Sequence, residues 1–223
     1  ADLENVENEL VSIWSKHSSS SSRSVENLTD YSAENIAYII SAKVNFCAAA
    51  YPTVSENHPD SAALSVLGSV LRNGFLHTEI REKGGAYGGG ALHDAANGIF
   101  RFYSYRDPRL METFDDFDKS LEWLASEGVS DDSLEEAVLG VLGSIDAPGS
   151  PAGELKQAYH QNLFGNCAEK REEKRKKILG VTADDLLEVA ARYLSSQPSL
   201  AALVSENSSK ELSSDFKKIN VSE

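Results

Sequence analysis

Leu3, Val6, Leu10 and Trp14 stand three and four residues apart, which predicts an amphipathic helix over residues 3–14. Five consecutive serines at 18–22 follow and read as a flexible surface loop. From 35 to 52 the chain is rich in Ile, Val, Ala, Tyr and Phe between polar turns, the pattern of two strands or one long bent strand. Asp60 or Ser61 then caps a long helix carrying Leu64, Leu67, Val70 and Leu71, which continues from Phe75 to Ile80 through a bend at Gly74.

Next, residues 87–92 and 99–105 flank a turn at Ala96-Asn97-Gly98, and aromatic positions after Asn-Gly predict a hairpin. From Pro108 onward the pattern is helical, with breaks at Gly128, Pro148-Gly149 and Gly165. The last helix, 183–194, begins after the cap Thr182 and leads into a short apolar strand at 200–204. Strands, a block of helices and a closing strand describe an α+β fold: two layers, a mainly antiparallel β-sheet with helices packed on one face. The expected organisation is an N-terminal helix and Ser-rich linker at 1–30 and a single domain at 31–223.

The 223 residues carry 21 Lys plus Arg against 35 Asp plus Glu, a net charge of −14. Nucleic-acid binding depends on phosphate neutralisation by basic residues, so this balance argues against it. No stretch approaches the ~20 apolar residues of a membrane-spanning helix. The chain starts without Met on an acidic segment with no signal-peptide design, and it reads as a fragment of a longer polypeptide.

Cys47 and Cys167 lie too far apart for a metal-ligand pair, and Cys47, ahead of an alanine run, reads as a small packed hydrophobe. None of the five histidines (His17, His58, His77, His93, His160) sits in a His-Glu-x-x-His or His-x-x-Glu-His arrangement. No zinc site within this chain is expected. A nucleophile elbow, a phosphate loop and a dinucleotide fingerprint are also missing. The helix around 170–177 alternates charge sign and reads as solvated surface. Arg106-Asp107-Pro108 reads as a turn with a local ion pair.

One segment stands apart: Phe75-Leu-His-Thr-Glu-Ile-Arg-Glu-Lys-Gly-Gly-Ala-Tyr-Gly-Gly-Gly-Ala91. Five glycines flank one tyrosine after a charged helix end. Glycine weakens a strand, so its density there suggests close backbone approach or sharp twist. The plain alternatives are a flexible hairpin, a packed strand tyrosine at Tyr87, and a helix-end salt bridge from Arg81 to Glu79 or Glu82.

That run, with Gly98-Ile-Phe100, Tyr103-Ser-Tyr-Arg-Asp-Pro108, Asp146-Ala-Pro148, Val44-Asn-Phe46 and His58-Pro-Asp60, resembles the C-terminal domain of presequence proteases in the pitrilysin/insulinase superfamily of zinc metallopeptidases. The likeness covers roughly residues 40 to 200. It implies a pitrilysin/insulinase-type domain in a two-halved peptidase that degrades short unfolded peptides such as cleaved targeting sequences. It implies that zinc is the cofactor and is held by the N-terminal half, the main partner of this chain. This chain would contribute no metal ligand and no activity alone. It would supply Arg81 to a substrate carbonyl and Tyr87 to the oxyanion, with Gly84, Gly85, Gly88 and His77 lining the substrate. The resemblance implies a mitochondrion or plastid for a eukaryotic parent and the cytoplasm for a bacterial one. The −14 charge would suit basic peptides if it lines the chamber. The rival expectation is a non-catalytic structural or peptide-binding subunit of the same superfamily.

Overall fold

One face of a six-stranded sheet is buried and the other open, as period-two alternation along its strands dictates. A computed structural model describes residues 3–15, 32–147, 149–163 and 168–221. The strands are β1 (Asn35–Ile39), β2 (Phe46–Pro52), β3 (Gly88–Asp94), β4 (Ile99–Tyr105), β5 (Ser199–Val204) and β6 (Lys217–Asn220), in the order β3-β4-β2-β5-β1-β6. The β3–β4, β4–β2 and β2–β5 pairings are antiparallel, whereas β1 runs parallel to both β5 and β6. Along β4, Phe100, Phe102 and Ser104 are buried while Arg101 and Tyr105 are exposed; along β2, Cys47, Ala49 and Tyr51 are buried.

The helices α2 (Ser61–Leu71), α3 (Met111–Glu127), α4 (Asp131–Ile145), α5 (Pro151–Leu163), α6 (Ala168–Leu179) and α7 (Ala183–Tyr193) follow the expected block. α2 packs on β3 and α3 on β2. Leu64, Leu67 and Leu71 of α2 meet Phe100, Phe102 and Phe117 in a core with nothing exposed. Phe102 stacks on Phe117 at 5.5 Å between ring centres. The expected cap of α7 is a capping box: Thr182 Oγ1 accepts from the Asp185 N–H, and the Asp185 carboxylate accepts from the Thr182 N–H at 2.8 Å.

Contacts divide the chain into two units, Ala1–Tyr31 and Ser32–Glu223. In the first, α1 (Leu3–Ser15) is helical as expected, with Val6 and Leu10 about half exposed. The Ser-rich stretch, Pro148, Gly165 and Cys167 lie outside the described residues.

Three details depart from the sequence reading. Residues 35–52 form two strands that are not neighbours, because β5 lies between them. A sixth strand, β6, closes the sheet edge; its Lys-Lys-Ile-Asn sequence carries no alternating apolar signal. Gly74 marks close packing: a β-carbon there would overlap the Trp123 ring.

Candidate active site

α2 does not stop at Leu71 but continues as a π-helix, Arg72–Lys83, held by the buried side chains of Leu76 and Ile80. The wider winding shows at its end, where the Gly84 N–H donates to the Glu79 carbonyl, five residues back, at 2.9 Å. Gly85 N–H donates to the Arg81 carbonyl and Ala86 N–H to the Ile80 carbonyl, both at 3.1 Å. Gly85 then takes φ +79°, a conformation glycine adopts without steric cost, and the chain turns into Tyr87 and β3.

A buried polar cluster braces this turn from behind. Asp107, with none of its surface exposed, accepts from the Arg109 N–H at 3.0 Å and from Thr113 Oγ1 at 2.7 Å. Arg109 Nη1 lies 2.9 Å from the Asp116 carboxylate, and Nη2 donates to the Glu79 carbonyl at 3.3 Å. Asn45 ties the cluster to the sheet: its backbone pairs with Asp107 and its amide donates to the Arg109 carbonyl. Asp107 thus pairs with Arg109 rather than Arg106. Arg106 turns away in a left-handed conformation, φ +51°, and lies over the Tyr105 ring.

Tyr87 is 69% exposed, so the packed-tyrosine alternative fails. Its ring stands edge-on to Tyr105 at 5.8 Å, and Tyr105 stands edge-on to Phe46 at 5.3 Å. Its N–H donates to the Arg106 carbonyl at 3.3 Å. Arg81 is exposed in the last turns of the π-helix. Neither expected salt bridge forms, since Glu79 takes Lys83 at 2.6 Å and Glu82 lies 3.5 Å from His77. Gly88 opens the edge strand with nothing near the place of a side chain, whereas a side chain at Gly84 would overlap Arg109. The segment therefore brings Arg81, Gly84, Gly85, Tyr87 and Gly88 through one turn, and His77 lies half exposed on the preceding helix.

Sequence reasoning missed Arg109, Tyr105 and Phe46. Alternation along 99–105 does place Tyr105 on the open face, but its meeting with Phe46, 59 residues away, has no local signal.

Other titratable groups serve the fold. Burial pushes the Cys47 thiol up to about 12, as a packed small hydrophobe requires. His93 is buried, its Nε2–H donates to the Val54 carbonyl at 3.0 Å, and desolvation lowers its pKa from the ordinary value. α6 is less solvated than its charge pattern suggests: Lys174 reaches Glu56 at 2.7 Å, Arg175 pairs with Asp146, and Ile178 is buried. No group of three or more His, Cys, Asp or Glu is placed to hold a metal ion among the described residues. No described helix is long and apolar enough to cross a membrane.

The family profile described as the PreP C-terminal domain matches residues 35–202, from β1 into β5. The chain belongs to the presequence protease C-terminal domain family. Among relatives of this family, the mitochondrial presequence protease of Kluyveromyces lactis is 39% identical over 163 residues, covering 73% of this chain and 16% of that protein. The chain thus spans about one sixth of that relative's length. In fold it is similar to a protease from Helicobacter pylori (TM-score 0.66, 16% identity, covering 88% of this chain and 52% of that one). It is also similar to a peptidase M16 inactive domain from Pseudomonas fluorescens (TM-score 0.59, 19% identity, covering 78% and 44%). The chain therefore shares its α+β architecture with a peptidase M16 inactive domain.

Proposed function

We propose that this chain is the part of a zinc peptidase that holds a peptide bond for cleavage while the metal is held elsewhere. The residues here do not fit a zinc site, since no cluster of three ligand-type side chains occurs among the described residues. The observation that carries the reading is the pairing of two uncommitted groups on one braced turn: the Tyr87 phenol, held outward on an aromatic edge, and Arg81, drawn into neither neighbouring carboxylate.

When water adds to a peptide carbonyl, the oxygen gains negative charge, and a fixed phenolic O–H stabilises it by about 3 kcal/mol in a closed site. Arg81 donates to a carbonyl beside the scissile bond. Gly84, Gly85 and Gly88 let the substrate backbone come close, with His77 on the approach. The substrates are short unfolded peptides, the partner is the zinc-bearing remainder of the protein, and a eukaryotic parent resides in the mitochondrion, as its named relative does.

The test is Tyr87→Phe in the complete enzyme. kcat should fall about 10²–10³-fold with KM and thermal stability nearly unchanged, because the hydroxyl acts only in the transition state. A near-normal kcat would leave Tyr87 a surface aromatic. The second reading, a non-catalytic peptide-binding subunit, draws on the inactive-domain description of the Pseudomonas fluorescens neighbour. Reading the sequence upstream of Ala1 for a zinc motif separates the two.

A further inference from the structure

The open face of the sheet carries one row of large apolar side chains that crosses five strands. Strand register places Phe46 beside Leu203, Leu203 beside Tyr38, and Tyr38 beside Ile219. Tyr105 joins Phe46 at the β4 end through the edge-on ring contact at 5.3 Å, and Tyr87 continues the row past the sheet edge. Tyr105 is 43% exposed, Leu203 38% and Tyr38 37%, whereas Ser104, Ala202, Val204 and Ala37 beside them in the strands are buried. The neighbouring row holds Ala48, Ala201 and Ile36, so its centre is shallow.

We infer that this row is an extended subsite for apolar side chains of an unfolded peptide, several residues from the bond being cut. The inference rests on the peptide-cleavage reading of Tyr87 and extends it. Strands lie ~4.8 Å apart, so from β4 to β6 the row runs ~19 Å. An extended chain rising ~3.3 Å per residue covers that length with about six residues and sets a side chain over the row every ~6.6 Å. A strip one side chain wide offers roughly 100–300 Å², well short of the ~800 Å² per partner of a stable protein interface. A single extended chain fits it, and a second folded copy does not. The row also starts at the ring that carries the proposed oxyanion donor, so a peptide held at Tyr87 meets it without a gap.

The experiment uses the complete enzyme and three fluorogenic peptides: a short core, that core extended by about six residues with Leu at alternate positions, and the same extension with Ser at those positions. Extensions are made at either end. The unmodified enzyme should show a KM about tenfold lower for the Leu-extended than for the Ser-extended peptide on at least one side. In Leu203→Ser and Tyr38→Ser, both on strands remote from Tyr87, that ratio should fall to about one. No Leu preference at either end, or a preference that survives both substitutions, overturns the subsite. Equal losses on all three peptides with a lowered Tm also overturn it, because the face would then be packed against protein. Tyr87→Phe keeps the two ideas separable. It should slow all three peptides alike, while anisotropy of labelled Leu-extended and Ser-extended peptides on that variant still reports the row.

Discussion

The guanidinium of Arg109 fills the space that a side chain at position 84 would need, and from there it donates to the Glu79 carbonyl. Gly84 is thereby the seat of a brace that fixes the end of the π-helix, just after Arg81 and just before the chain turns out to Tyr87. Gly84→Ala should push the guanidinium out and take it from the Asp116 carboxylate, while Asp107 keeps its bonds from the Arg109 N–H and Thr113. The cost is about 2–3 kcal/mol, near the low end for breaking a buried pair because Arg109 keeps some exposure. Arg109→Ala should cost a similar amount. The double variant should cost little more than either alone, since both remove the same brace. Denaturant unfolding of the three variants measures this, and additive losses would show that Gly84 acts independently of Arg109.

Local chemistry announced much of this region. Asn97-Gly98 between two alternating runs marked the β3–β4 hairpin, in which the Asn97 N–H and amide both bond to Asp94. Thr182 followed by Asp185 marked the start of α7. The glycines around Tyr87 stood out because a strand gains nothing from them unless backbone must come close. What stayed hidden depends on distant parts of the chain. β1 pairs in parallel with β5, 165 residues away, so the row from Tyr87 to Ile219 exists only once the sheet is assembled. The brace joins Arg109 to a carbonyl 30 residues earlier, and π-winding has no periodicity that distinguishes it from an α-helix in sequence.

His93 makes stability depend on pH just below neutrality. Burial depresses its folded pKa, so below the unfolded value near 6.5 the unfolded chain binds the proton more readily. The neutral ring's contribution is complete above that pH and is lost as pH falls toward the folded value. His93→Gln can keep a donor toward Val54 but does not titrate. Its unfolding free energy should therefore be flatter between pH 7 and 5 than that of the unmodified chain. Equal slopes in that window would assign the acid sensitivity to other groups.

Asp60 links the start of α2 to the end of α7. Its carboxylate is at the N-cap position yet makes no cap bond, accepting instead from the Tyr193 hydroxyl at 2.7 Å and from Arg192. Burial works to raise its pKa, but those bonds outweigh it and the net shift is downward. Tyr193→Phe should cost about 1 kcal/mol at pH 7. Because a lowered carboxylate pKa stabilises above the unfolded value near 3.8 and that stability is lost below it, the gap between variant and parent should close as pH drops toward 3. Urea midpoints at the two pH values test this.

Two glycines with positive φ separate strain from function. Gly85, at +79°, sets the turn that presents Tyr87; Gly98, at +64°, closes the hairpin at the far end of β3 and β4. An alanine at either position is forced into a left-handed conformation that costs about 1–2 kcal/mol, so Gly85→Ala and Gly98→Ala should lower Tm by similar amounts. Their effects on the complete enzyme should differ. Relaxing the strain at Gly85 rotates the chain two residues before the phenol, and a displacement near 1 Å at a reacting group costs on the order of 10²-fold. Relaxing it at Gly98 moves only the hairpin tip. Gly85→Ala should therefore lose most of its kcat while Gly98→Ala retains it at the same loss of Tm. If both variants lose activity in step with stability, the turn at Gly85 serves the fold alone and the placement of Tyr87 is not what limits cleavage.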